Sequence, residues 1–314
     1  MDAPSNCRSE PLKERAAQGD AEAQLNLSVA YAKGQGVAKD DAEAQRWLRK
    51  AAEQGNAMAQ YGLGAAYYQG LVGISRDYKE AVRWLRLSAD QGSAGAQFLL
   101  GNLYWQGLGL TKDDSEAVRW ARKAAEQGDA NAQEFLGRMF EEGIGVTQDY
   151  SEAVRWYHKA AEQGDTAAQG ILGVSYKLGG LGLTQDYAEA ARWYRRAAEL
   201  GSATAQNLLG YMYFEGEGLE KSYQEAARWY RKAAEQNDVV SQYVVGFMFE
   251  QGLGVTQDYI QAQMWLNIAA AHATGNDQQK YAAERDDLAR MMTPEQIAEA
   301  QRLAREWAAS ASQR

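Results

Sequence analysis

The 314-residue sequence has one cysteine, two histidines and three prolines. A lone cysteine, Cys7, cannot close an intramolecular disulfide, so no disulfide framework holds this chain. No run of 18 apolar residues occurs, and no segment reads as membrane-spanning. No apolar core of a signal peptide follows the start. C-x-x-C, H-E-x-x-H, G-x-S-x-G and S-x-x-K are all missing, which removes the common zinc, redox and acyl-enzyme signatures. The two histidines, His158 and His272, stand far apart. His158 lies two residues after a tryptophan and reads as a surface side chain. A net charge of −9 and a pI near 5.0 disfavour a nucleic-acid backbone as partner. Strand-like alternation of β-branched residues is absent as well. No catalytic residue, metal site or cofactor is expected from this composition.

What is present is repetition. The stretch Gln133–Gly164 is rewritten along the chain with small edits, and a tryptophan recurs at one point of every copy: Trp47, Trp84, Trp120, Trp156, Trp193, Trp229 and Trp265. The steps between them are 37, 36, 36, 37, 36 and 36 residues. A fixed period of this length marks a solenoid array. The 31 glycines, in a chain 46% hydrophobic, fit helices punctuated by glycine turns.

Each copy carries two helical patterns. The first opens on a glycine followed by Asp, Asn or Ser, as in Gly19-Asp20, Gly55-Asn56 and Gly128-Asp129. That pairing is a C′ residue with φ > 0 followed at once by an N-cap. Asn237-Asp238 is the same device with asparagine. The second pattern opens on a capping box, Asp40 with Glu43 through Asp258 with Gln261, and each box should satisfy two orphan amides reciprocally. Alanine three before the tryptophan and mostly alanine four and five after it form one apolar stripe. Burying each indole removes about 150–250 Å² from water, so the seven tryptophans are read as core.

The pattern A-x-A-Q-x-x-L-G-x-x-Y/F, then G-x-G, D-Y-x-x-A, W and K-A-A-E-Q-G, resembles the Sel1-like repeat. Tyr104, Phe140, Tyr176, Tyr213 and Phe249 are its aromatic. The tetratricopeptide repeat has a period of about 34 and lacks the G-x-G turn. The resemblance implies an all-α, right-handed α/α superhelix (solenoid) whose first helices line the concave side, and a protein that binds other proteins. Ser28 departs from it, standing where the L-G glycine belongs. Two lengthened turns, Gly70-Leu71-Val72-Gly73 and Gly179-Gly180-Leu181-Gly182, account for the 37-residue steps. The expected organisation is a tail over 1–8, an N-terminal capping half-repeat over 9–19, seven repeats over 20–273 and C-terminal capping helices over 274–314. In the caps, Asn276–Met292 reads as one helix burying Tyr281, Leu288 and Met291. Thr293-Pro294-Glu295-Gln296 opens a last helix with Ile297, Ala300, Ala304 and Trp307 inward.

The copies form an internal alignment, so positions that vary among them are not required by the repeat. Counted from the A-x-A-Q glutamine, +1, +5 and +8 vary most and share one helical face. They supply the candidate partner-binding residues Tyr61, Tyr68, Phe98, Asn102, Trp105, Glu134, Arg138, Glu141, Lys177, Tyr211, Phe214 and Phe247. The +1 positions also have the alternative of packing on a neighbouring copy. Trp105 is the most informative, because it is out of phase with the seven core tryptophans. The expected surface is two aromatic patches flanking a charged middle in the fourth copy.

The expected function is therefore a non-catalytic scaffold gripping a protein partner, monomeric, with no nucleic acid and no membrane insertion. The resemblance implies adaptors, envelope regulators, virulence factors or periplasmic immunity proteins, and an immunity protein against an exported phospholipase-type toxin is the specific expectation. That assumes an exported chain whose leader has been replaced by Met1; a cytoplasmic regulatory adaptor is the alternative. A hydrolase of the β-lactamase type is the rival class, disfavoured by the missing triplet.

Overall fold

The computed structural model describes residues 10–71 and 73–311. The expected tail over 1–8 with Cys7, Ser9 of the half-repeat and Val72 of the first long turn lie outside them. Seventeen helices and no strand occur among the described residues. After α1 (Glu10–Ala17) come α2 (Ala21–Lys33), α3 (Asp41–Glu53), α4 (Ala57–Gln69), α5 (Tyr78–Asp90), α6 (Ala94–Gln106), α7 (Asp114–Glu126), α8 (Ala130–Glu142) and α9 (Tyr150–Glu162). A second compact unit begins at Gly164. It holds α10 (Thr166–Leu178), α11 (Tyr187–Glu199), α12 (Ala203–Glu215), α13 (Tyr223–Glu235), α14 (Val239–Gln251), α15 (Tyr259–His272), α16 (Gly275–Ala289) and α17 (Pro294–Ala311). Within each unit, each helix packs on the next as far as α16, as the helical hairpins of an α/α solenoid do, and α17 folds back onto α15.

The helix starts follow the residues. Asp20, Asn56, Ser93, Asp129, Asp165, Ser202 and Asp238 each cap a first helix by accepting from the amide three residues on. The residue before each has positive φ, from 89° at Gly55 to 96° at Gly201, with Asn237 at 68°. The second helices correct the capping-box expectation in one half. Asp113 accepts from the Glu116 amide at 3.0 Å, as expected. Glu116 does not reach back; it pairs with Arg119 at 2.6 Å. The Asp113 amide instead donates to the Tyr104 carbonyl near the end of the first helix, at 3.1 Å. The same bond recurs from Asp40 to Tyr31 and from Asp258 to Phe249. The loop thus ties the two helices of a hairpin together, and the glutamate is released to an exposed i,i+3 ion pair that contributes only a few tenths of a kcal/mol.

Three further devices join helices. The A-x-A-Q glutamine is buried in every copy. Gln97 Nε2 donates to the Ala89 carbonyl of the preceding copy at 3.1 Å, and its Oε1 accepts from Gln127 of its own copy at 2.7 Å. Gln24, Gln60, Gln133 and Gln206 repeat both bonds. In the seventh copy His272 takes the place of the donor glutamine, 3.1 Å from Gln242. The fifth copy has Leu200 there, which has nothing to donate. Second, the later glycine of the G-x-G turn lies directly on the second helix of the copy before. A Cβ on Gly145 would sit 2.2 Å from the Asp114 carbonyl oxygen, and one on Gly254 would sit 2.1 Å from that of Tyr223. Third, the residue after the tryptophan fills the space over the L-G glycine of its own hairpin. It is Leu85 over Gly64, Tyr157 over Gly137, Tyr194 over Gly173 and Tyr230 over Gly210. Ser28, the departure from the pattern, donates its hydroxyl to the Ala44 carbonyl at 2.7 Å instead.

Six of the seven register tryptophans are buried; Trp47, in the first copy, is half-buried. In the C-terminal cap the helix ends earlier than expected. Tyr281 and Leu288 are buried, but Met291 is 60% exposed and Met292 takes the inward place. The turn after Ala289 shifts the phase by one residue, which a helix extrapolated to 292 misses. Thr293 and Gln296 do form a reciprocal box, at 2.9 and 3.3 Å. Ala300 is buried, and Ile297, Ala304 and Trp307 pack beside it against the last repeat.

Candidate functional site

The first helices of the first unit bring four of the candidate residues to one place. Trp105, at +8 on α6, meets Phe135 of α8 edge-on with ring centroids 5.6 Å apart. Phe98 meets the same ring at 6.1 Å. The Arg138 guanidinium, at +5 on α8, lies 5.2 Å from the Trp105 ring and 5.5 Å from Phe135. Asn102, on the turn between Phe98 and Trp105, accepts from Gln106. Trp105 and Arg138 are both half-buried, and Arg138 Nε is shielded from solvent with no hydrogen-bond acceptor in reach among the described residues. A cation between two rings keeps its charge partly desolvated and its edge able to donate to an incoming acceptor.

The second unit uses the same diagonal with the roles exchanged. Lys177, at +8 on α10, places its Nζ 4.3 Å from the ring of Tyr211, at +5 on α12, and 3.1 Å from Glu217. Tyr211 is the one candidate that is exposed rather than half-buried. Phe214 meets Tyr223 at 5.1 Å with Lys221 beside both rings. Phe247 is half-buried on α14.

The +1 positions are engaged in stacking the copies. Tyr61 covers the backbone of Gly95, where an added Cβ would stand 3.1 Å from its ring. Phe98 lies against Phe135, and Asn207 donates to Asp238 and Ser241 of the following copy. Glu134, also at +1, is not without a partner. Tyr243 stacks on Tyr281 of the cap at 4.3 Å and donates to Glu284. The charged middle of the fourth copy is also divided. Arg138 joins the aromatic cluster, whereas Glu141 accepts from the buried Tyr157 hydroxyl at 2.5 Å. Burial and this carboxylate push the Tyr157 phenol well above its ordinary range. Tyr68 packs on Tyr78 at 5.9 Å.

Phe135, which is not among the residues expected at this face, completes the cluster. It sits at +2, only 2% exposed, and supplies the floor of the cluster. The internal alignment carried the signal, since the other copies have no aromatic at that position. Among the described residues no group of three or more His, Cys, Asp or Glu side chains could hold a metal ion, and no helix is long and apolar enough to cross a membrane.

The Sel1 repeat model matches seven consecutive segments, 21–56, 57–93, 94–129, 130–165, 166–202, 203–238 and 239–273. A Sel1 repeat protein of Oxalobacter formigenes is 36% identical over 87% of this chain and 79% of its own, with a TM-score of 0.72. Protein c5321, described as a protective antigen of uropathogenic Escherichia coli with an SLR fold, is 31% identical over 94% of this chain and 78% of its own, with a TM-score of 0.45. The immunity protein Pa5087 of Pseudomonas aeruginosa is 20% identical over 69% of this chain and 81% of its own, with a TM-score of 0.38, too distant to bear on function. No curated protein matches.

Proposed function

The chain belongs to the Sel1 repeat family, and from that premise we propose that it is a non-catalytic scaffold that grips a protein partner through the +5 and +8 residues of its first helices. The observation that supports this reading most is the Trp105–Arg138–Phe135 cluster. Tryptophan and arginine are the side chains that dominate protein interfaces when partly desolvated and held in place by their neighbours. The repeat does not require a tryptophan there: the equivalents of Trp105 are Ala32, Tyr68, Glu141, Lys177, Phe214 and Glu250. The exposed Tyr211 beside Lys177 is the second contact area.

The test is affinity capture from an extract of the producing organism and its neighbours, comparing wild type with Trp105→Ala, Tyr211→Ala and the second-helix control Arg192→Ala. A partner retained by wild type and the control but lost from both face variants supports the reading. A partner lost only from the control contradicts it. The narrower proposal, an exported immunity protein whose partner is a toxin, draws on the habits of the family. It requires a toxin gene beside this one and neutralisation of that toxin by the purified chain.

A further inference from the structure

The second unit holds a cleft of about 370 Å³ between α13 and α14, bounded by the turn at Gly254-Val255. We infer that this cleft binds a small amphipathic carboxylate, an apolar body carrying one anionic head, on helix faces separate from the +5 and +8 residues.

The reason for the cleft lies in the internal alignment. Two residues before the tryptophan, copies two to four carry Val82, Val118 and Val154; the fifth and sixth carry Ala191 and Ala227. At +3 on the first helix the first six copies have leucine, from Leu27 to Leu209, and the seventh has Val245. The two truncations face each other across the same joint, and both line the cleft. No other joint combines them. Phe249 and Met248 complete a floor that is at most 8% exposed. A volume of this size lies in the range of roughly 300–1,000 Å³ that small ligands occupy.

The charge comes from α13. Arg228 and Arg231, one turn apart on one helix face, line the cleft with Lys232, against the single carboxylate of Glu235. The same charges recur in the first, third and fifth copies, as in Arg119, Arg122, Lys123 and Glu126, but only here do they border the truncated joint. Arg228 is partly answered by Glu225 at 3.4 Å. Arg122 and Arg231 are the two whose facing aromatic is a phenylalanine, at 5.3 and 5.4 Å, and of the two only Arg231 lies beside the truncated joint. Its counterparts Arg49 and Arg195 donate to the hydroxyls of Tyr67 and Tyr213 in the following copy, at 2.5 and 2.7 Å, and Arg86 donates to Tyr104. Here the aromatic is Phe249, so Arg231 lies 5.4 Å from a ring that offers no acceptor. A guanidinium over an apolar floor, with its fork of donors unanswered among the described residues, matches a planar carboxylate attached to a hydrocarbon body.

The test is isothermal titration of the full chain with butanoate, hexanoate and octanoate, and with hexanol as the neutral match. Saturable binding of hexanoate or octanoate with a Kd of about 1 mM or below, and none of hexanol, is expected. Ala227→Val with Val245→Leu installs the residues of the earlier copies; it should abolish binding and leave the melting temperature equal or higher. Arg231→Gln, a surface change, should weaken octanoate binding by about tenfold. Equal binding of hexanol and hexanoate overturns the assignment. So does binding that survives in the filled variant, tighter binding of a capped Leu-Glu dipeptide than of octanoate, or no binding of any carboxylate.

Discussion

The Arg138 guanidinium on α8 lies 5.2 Å from the Trp105 ring on α6, a contact across the joint between two residues at variable positions of their copies. Lys177 and Tyr211 meet at 4.3 Å on the same diagonal of the second unit, with cation and ring exchanged. A +8 residue of one copy therefore faces the +5 residue of the next, and the pair can be rewritten without disturbing the backbone that carries it.

The two kinds of tryptophan should behave oppositely. Trp105→Ala removes one ring from a half-buried cluster and should cost about 0.5–1.5 kcal/mol of folding stability. It should weaken partner binding by about 2 kcal/mol. Trp120→Ala empties a core position that is 4% exposed and should cost about 3–5 kcal/mol. Urea denaturation of the two variants checks the order.

Glycines of similar φ should differ in what they tolerate. Gly128, at φ 94°, has nothing within 4 Å of an added Cβ, so Gly128→Ala should cost only the conformational strain, about 1–2 kcal/mol. Gly145, at φ 68°, would place the Cβ 2.2 Å from the Asp114 carbonyl oxygen. Gly145→Ala must push two copies apart and should cost more than about 3 kcal/mol. Paired thermal melts decide it.

The glutamine rungs should be worth more than their number of bonds suggests. Gln97→Leu removes the buried side-chain donor from the Ala89 carbonyl, which keeps the Gly92 amide, and takes from Gln127 its glutamine acceptor. A loss of about 1–3 kcal/mol is expected. Gln127→Leu places in the third copy the residue that Leu200 already is in the fifth, and it should cost less than Gln97→Leu because the removed side chain is largely exposed. Denaturation midpoints of the two variants give the comparison.

Alkali should unfold the array. Burial pushes the Tyr194 phenol up to about 12 and raises those of Tyr157 and Tyr230 further. Above pH 10 the unfolded chain releases protons that the folded chain keeps, so it binds fewer protons and stability falls as pH rises. The stabilising contribution is complete below pH 10 and is lost from there through about 12. Circular dichroism from pH 8 to 12 should show this loss, and Tyr194→Phe should make it shallower.

The helical hairpins, their caps and the tryptophan core were legible because each is written within one copy: a glycine before an aspartate, an Asp-x-x-Glu, an alanine–tryptophan stripe. Bonds between copies were not. Gln97 is as regular as Trp120, but regularity says that a residue is needed without saying which carbonyl it meets eight residues back. The later glycine of the turn reads as a conformational requirement until Gly145 is seen resting on Asp114. Glu116 keeps the capping-box spacing while Tyr104 takes the amide it was expected to serve. At the candidate face, variability pointed to Trp105 and Arg138; it also marked Phe135, the lone aromatic at +2, but could not show that it lies beneath them. It also grouped Tyr61 and Phe98 with the face, although stacking holds both.

The most direct measurement is hydrogen–deuterium exchange of the chain free and bound to the protein it captures. Added protection is expected in α6, α8 and α12, centred on Trp105, Arg138 and Tyr211, with α7 and α11 unchanged. Protection confined to the second helices, with α6 and α8 exchanging as in the free chain, would contradict it.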